Sequence, residues 1–318
     1  MSIGLIKFIC PHYKTTFNEQ FPTIIGKKTK PMKKILILII SLTFATSCKT
    51  TLMKQNDEME PKAAKNPKEF KNHADHRIDN YFWLNERENP EVIAYLNAEN
   101  KYYENVTKHT KALQDSLFKE MKGRIKEDDE SVPTKKNGYF YINRFEKGGQ
   151  YPIFSRKKET LDAPEEILFD VNKMAENYDY YELTGLNVSP NNQLVAFAID
   201  SVSRRIYDIY IKDLKTGTIY PEIISNSTGG SVWANDNKTL YYTRKNPTTL
   251  RSESVYKHVL GTDSTTDEEV YFEKDDTFSV YITKSKSDKY LIINSYSTLT
   301  TEFQILEADN PMGKFRVF

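Results

Sequence analysis

The chain has 318 residues, a hydrophobic content of 38%, a mean hydropathy of −0.64 and a formal net charge of +1. Residues 1–34 carry seven Lys and one Glu, a net of +6, so residues 35–318 total −5, and a mildly acidic body without a basic stripe excludes nucleic acid as the main partner. Both cysteines, Cys10 and Cys48, precede the globular part, which excludes a disulfide framework or a thiolate metal site in the body.

Taken in order, Met32-Lys33-Lys34 followed by the mostly apolar run Ile35–Phe44 has the form of a signal peptide, too short for the ~20 residues of a membrane-spanning helix. It ends in Ala45-Thr46-Ser47-Cys48, which resembles a bacterial lipobox with Ala in place of the usual Leu. That resemblance implies Cys48 as a lipid anchor to the membrane. Lys49, following the cysteine, points to the outer membrane and a periplasm-facing protein. Residues 1–31 make little sense ahead of a signal, so Met32 is the expected start and 1–31 an upstream misread. Residues 49–76, polar and rich in Lys and Asn, are expected to form a tether.

Residues 77–131 are expected to be a helical arm. Asn89 is a suitable N-cap, Pro90 fits the first helical position, and Glu91 suits the positive end of the helix dipole. Apolar residues then recur at Val92, Tyr95, Leu96, Tyr103, Val106, Leu113, Leu117 and Met121, as one helix or two end to end, closed by Gly123. The plug Tyr81-Phe82-Trp83-Leu84 precedes it. So much apolar surface suggests a clasp on a β-rich body.

From 132 to 318 the pattern changes to short alternating runs broken by Asn, Asp, Gly and Ser, and an aromatic content of 13% favours strands. Polar turns at Ser189–Gln193, Ala234–Lys238 and Ser285–Lys289 each precede an apolar strand, with spacings of 45 and 51 residues. That period is a propeller signature; the irregular turns weigh against a β-solenoid. Seven blades need roughly 350 residues, so this stretch has room for about four. The expected fold is mainly β: a helical arm, then a propeller of about four of seven blades, with unpaired strand edges that invite aggregation.

No candidate catalytic, cofactor or metal residue emerges. A nucleophile elbow, G-x-S-x-G, is not found, and Gly229-Gly230-Ser231-Val232-Trp233 fails at its last position. There is no phosphate-cradling glycine loop and no H-E-x-x-H. His73 and His76 beside Asp75 and Asp79 could hold a metal, but they read better as a solvated cluster. Lys126-Glu127-Asp128-Asp129-Glu130 reads as a solvated loop before the first blade. Arg204-Arg205 and Arg244-Lys245 could grip carboxylates, though as strand-end charges they need no such role. Trp83 and Trp233 read as core.

Several ordered stretches closely resemble the oligopeptidase B branch of the prolyl oligopeptidase family of serine peptidases. They include Asp79-Asn80-Tyr81-Phe82-Trp83-Leu84, Tyr95-Leu96-Asn97-Ala98-Glu99-Asn100 and the run from Gly123 to Pro133. Further on come Tyr151-Pro152-Ile153, Arg204-Arg205-Ile206-Tyr207, Val232 to Leu240, His258 to Asp263 and Lys274 to Phe278. The resemblance implies a helical arm, a seven-bladed propeller that restricts access, and an α/β-hydrolase domain with a Ser-Asp-His triad that cleaves short peptides after Lys or Arg. The hydrolase domain, roughly another 250 residues, has no counterpart in this sequence. No catalytic residue carries over, and the chain by itself is expected to be inactive. The expected role is the gating portion of such a peptidase, truncated or split. The alternative is a stand-alone propeller lipoprotein that binds peptides or glycans, which a blade count short of closure disfavours.

Overall fold

The computed structural model describes residues 59–318. The expected extension 1–31, the signal 32–48 with Cys48, and residues 49–58 of the tether lie outside the described residues. The chain divides into two compact units after Ser116.

The first unit differs from the expected tether. Residues 68–79 form an antiparallel hairpin, β1 (Lys68–Asn72) and β2 (Asp75–Asp79), turning at His73 with φ 53°. Its side chains are mostly exposed on both faces, so no apolar alternation marks it in the sequence. Backbone pairing and one aromatic contact hold it: the Phe70 and Phe82 rings meet edge to face at 5.0 Å. Trp83 is buried and its Nε1 donates to the Ala64 carbonyl at 3.0 Å.

The helical residues form α1 (Pro90–Thr107), a 3-10 turn (Lys108–Thr110) and α2 (Lys111–Gly123). Asn89 caps α1 by accepting the Glu91 N–H at 2.9 Å, with Pro90 in the first turn, where a missing N–H costs nothing. Val92 is buried, whereas Leu113, Leu117, Phe118 and Met121 are 47–65% exposed.

In the second unit every strand pairing is antiparallel. The first sheet contains β3 (Asp129–Glu130), β4 (Thr134–Lys136), β5 (Tyr139–Phe145), β6 (Ile153–Lys158) and β7 (Glu165–Asp170). Asp129 and Glu130 therefore belong to a sheet, not to a solvated loop, pairing with Phe145 and Arg144. Their side chains are exposed on both faces, which hides the strand from pattern reading.

A seven-stranded meander follows: β8 (Glu182–Val188), β9 (Leu194–Asp200), β10 (Tyr207–Asp213), β11 (Ile224–Trp233), β12 (Thr239–Lys245), β13 (Ser252–Val259) and β14 (Glu268–Phe272). It is two blades joined through β11. Ile224 and Ser227 pair with β10, the ladder then shifts, and Ser231–Trp233 pair with β12. The last sheet is β15 (Ser279–Lys284), β16 (Tyr290–Tyr296), β17 (Thr301–Glu307) and β18 (Arg316–Val317). Four blade-sized units result, and the first strands β8, β11 and β15 lie side by side.

The cores sit between blades. Along β9, Val195 and Phe197 join the core shared with the first blade, while Leu194, Ala196 and Ala198 join the core shared with the third. Along β12, Leu240 and Tyr242 face the second blade and Tyr241 faces the fourth. The second strand of each of these blades is thus buried on both faces, which is why Leu194–Ala198 and Leu240–Tyr242 read as continuous apolar runs.

Candidate functional site

Among the described residues, the turns at one rim, the first-strand row and the loops at the other rim are places where chemistry could reside. The first is occupied by structure. Each blade's opening hairpin turns on a residue of positive φ: Asn137 (46°), Asn192 (62°), Asn237 (58°) and Asp288 (57°). Asn and Asp tolerate this region because their short polar side chains bond locally. These turns then bond to one another. Asn192 Nδ2 donates to the Asn137 carbonyl at 3.0 Å, the Asn191 N–H to Asn237 Oδ1 at 2.8 Å, and Asn235 Nδ2 to the Asp288 carbonyl at 3.0 Å. The periodic polar turns are a belt linking all four blades.

In the first-strand row, backbones approach closely. A Cβ on Gly185, which has φ +66°, would lie 1.8 Å from the Gly229 carbonyl oxygen. Gly229 itself has φ +89° and faces Tyr207. Both glycines sit at breaks in their ladders, so the pair Gly229-Gly230 serves a β-bulge rather than an elbow. Across the same seam Trp233 Nε1 donates to the Asn187 carbonyl at 2.9 Å and Asn187 Nδ2 to the Ser231 carbonyl at 2.8 Å.

At the opposite rim, β9 and β12 end in loops. Buried Asp200 accepts from the backbone N–H groups of Val202 (2.9 Å), Ser203 (3.0 Å) and Arg205 (2.7 Å), pinning a loop in which Ser203 and Arg205 both have positive φ. The Arg205 carbonyl accepts from Lys245 Nζ of the next blade. Arg244 lies over the rings of Tyr242 and Tyr256, at 5.5 and 4.2 Å from their centroids.

Sequence reading missed one buried constellation. His258 Nδ1 lies 2.8 Å from Asp267 Oδ1, and Tyr242 donates to Asp267 Oδ2 at 2.8 Å. Burial and the Asp267 hydrogen bond push the Tyr242 hydroxyl far above its ordinary value. The pairing could orient an imidazole as a triad Asp does. Yet His258 is fully buried and its Nε2 meets no partner, so it has neither a nucleophile to activate nor a path for substrate. The only sequence signal is His258 and Asp267 flanking the turn at Gly261.

Of the other residues singled out in the sequence, Cys48 lies outside the described residues. His76 faces Glu69 at 3.4 Å and Arg77 pairs with Asp75 at 2.9 Å, all exposed, while Asp79 accepts the Tyr81 N–H at 2.8 Å. Lys126 pairs with Asp129 at 2.9 Å. Trp83 and Trp233 are both buried. Among the described residues no group of three or more His, Cys, Asp or Glu is placed to hold a metal ion, and no helix is long and apolar enough to cross a membrane.

The family model for the prolyl oligopeptidase N-terminal β-propeller domain matches residues 61–318. Dipeptidyl aminopeptidase BI of Pseudoxanthomonas mexicana is 38% identical over 88% of this chain and 41% of its own length. Protease 2 of Moraxella lacunata is 32% identical over 81% of the chain and 38% of its own length. The chain thus spans about two fifths of the length of these curated relatives. Among solved structures, oligopeptidase B from Leishmania major superposes with a TM-score of 0.76 at 29% identity, covering 81% of this chain and 39% of that one. Oligopeptidase B from Trypanosoma brucei, with covalently bound antipain, gives 0.73 at 27%, again covering 81% and 39%.

Proposed function

This chain belongs to the prolyl oligopeptidase family, whose N-terminal β-propeller domain it carries, and from that premise we propose that it gates and frames a serine oligopeptidase site. The observation that carries the reading is the continuous match over residues 61–318, together with a described structure built of antiparallel blades. Acyl transfer needs a nucleophile beside a base and donors aimed at the developing oxyanion. The buried His258–Asp267 pair does not supply these, so the chemistry falls to a hydrolase part of the kind the family resemblance implies. The substrates are short peptides cleaved after Lys or Arg. The relative named a dipeptidyl aminopeptidase supports a second reading, release of dipeptides from peptide N-termini. The chain is lipid-anchored through Cys48 and faces the periplasm from the outer membrane.

The test supplies the part of the Pseudoxanthomonas relative beyond the matched stretch in trans. Hydrolysis of short Lys- or Arg-ended peptides that requires this chain, with folded proteins spared, is the expected result. Turnover indifferent to the chain counts against gating, and dipeptides as sole products select the second reading. Separately, Cys48→Ala is expected to abolish lipid labelling and release the protein from membranes; unchanged retention rejects the anchor.

A further inference from the structure

Arg244 and Lys245 close β12 and line a cleft of about 290 Å³ with Asn226, Tyr256, Glu253 and Glu269. The two carboxylates of the cleft already accept hydrogen bonds. Glu253 accepts from Arg251 at 2.9 Å and from Asn246 at 3.0 Å, and Glu269 accepts the Tyr256 hydroxyl at 2.9 Å. Among the described residues, neither Arg244 nor Lys245 has a carboxylate within ion-pair distance. The Arg244 guanidinium makes one long bond, Nη2 to the Ser264 carbonyl at 3.4 Å, and its Nε is buried without a partner. Lys245 spends one proton on the Arg205 carbonyl, and Arg205, exposed at the tip of the Asp200-pinned loop, adds a third cation nearby. Burial lowers the Lys245 pKa, and the Arg205 charge lowers it further.

Asp200 acts on Lys245, and Glu253 and Glu269 share the cleft, but among the described residues none of these carboxylates forms an ion pair with Arg244 or Lys245, so both cations keep donors for an incoming anion. The shape narrows what that is. Tyr242 and Tyr256, stacked on each other at 5.8 Å, lie on one side of the guanidinium, whose remaining N–H donors can match the fork of a carboxylate. The cleft admits a terminal group and a residue or two, not a folded partner. We propose that this cleft binds the free carboxylate of a peptide, with Arg244 as the oriented donor and Lys245 as the second cation. The carboxylate belongs either to a peptide C-terminus or to an Asp or Glu side chain. The site does not depend on the proposed peptidase role, since it is a binding site within this chain.

The test is calorimetric titration of the chain with three acetylated alanine tetrapeptides: the free acid, the C-terminal amide, and an amide carrying one internal Asp. The free acid, the Asp peptide, or both are expected to bind on the order of tenfold more tightly than the neutral amide, and less tightly as salt rises. Binding of the free acid only identifies the C-terminus as the ligand; binding of the Asp peptide only identifies the side chain. Lys245→Gln is expected to lose roughly tenfold in affinity at an unchanged melting temperature. Arg244→Lys keeps the charge and loses the fork, and is expected to weaken binding as well. Equal affinity for acid and neutral amide, no binding of either carboxylate, or no effect of Lys245→Gln in a folded protein overturns the site.

Discussion

The two rims of the blades are built from the same polar residue types and use them differently. At the hairpin-turn rim, Asn137, Asn191, Asn192, Asn235 and Asn237 bond one turn to the next. At the other rim, Asp200 spends its carboxylate on its own loop, while Arg244 and Lys245 reach the surface without an acidic partner. A polar residue in a turn is therefore not a functional candidate by type. What separates structure from availability is whether its donors and acceptors are already met.

Five substitutions break or sharpen that contrast. Gly185→Val at the first-strand seam, neutral to both rims, has the largest expected effect. Its side chain would collide with the Gly229 carbonyl in a backbone conformation that β-branched residues avoid, a loss of roughly 4 kcal/mol or more that removes most of the folding margin. Thermal unfolding checks it. Asp200→Ala leaves three loop N–H groups without their acceptor and should cost about 2–3 kcal/mol by urea titration, while also weakening any ligand binding near Arg205. At the turn rim, Asn237→Ala should cost about 1–2 kcal/mol, and Asn237→Gly less, because glycine accepts the positive φ and loses only the side-chain bonds, from the Asn191 N–H and to the Asn235 carbonyl. Lys245→Gln should leave stability within about 0.5 kcal/mol. A large loss there would mean that the second rim, too, is structural.

Part of the acid sensitivity sits in the turns. Burial tends to raise the Asp236 pKa, but the Thr239 hydroxyl and the N–H groups of Lys238 and Thr239 bring it below the usual carboxylate value. Asp213 is lowered first by the Thr216 N–H and Asp263 by the Thr265 N–H. A carboxyl whose folded pKa is depressed contributes stability above its unfolded value of about 3.9, and that contribution is lost as pH falls through the folded value. Stability from these groups should stay level from neutral pH down to about 4 and fall below it. Circular dichroism against pH reads this directly, and Asp236→Asn should flatten part of the fall.

Much of this architecture was legible in the sequence. The double-sided burial of β9 and β12 shows as unbroken apolar runs, and three of the four opening turns stand out at a regular spacing. The fourth, at Asn137-Gly138, was missed because the short strand before it, Thr134–Lys136, is exposed and carries two lysines. The hairpin at 68–79 and the strand at Asp129–Glu130 escaped for the same reason: pairing without burial leaves no periodicity. The His258–Asp267 pair was invisible for a different reason, and Arg244-Lys245, named in the sequence as able to grip carboxylates, could not be told there from ordinary strand-end charge. Each depends on which strands become neighbours across a blade, and spacing along the chain does not encode whether a charge finds a partner.

The reading proposed above is that these blades frame a peptidase site and do not themselves supply its nucleophile. Incubating the purified chain with a fluorophosphonate probe and a Lys- or Arg-ended peptide tests it most directly. The account predicts no labelling and no hydrolysis, since His258 is fully buried and its Nε2 meets no partner among the described residues. Stoichiometric labelling of a folded chain, with turnover, would contradict it and place a nucleophile within these blades.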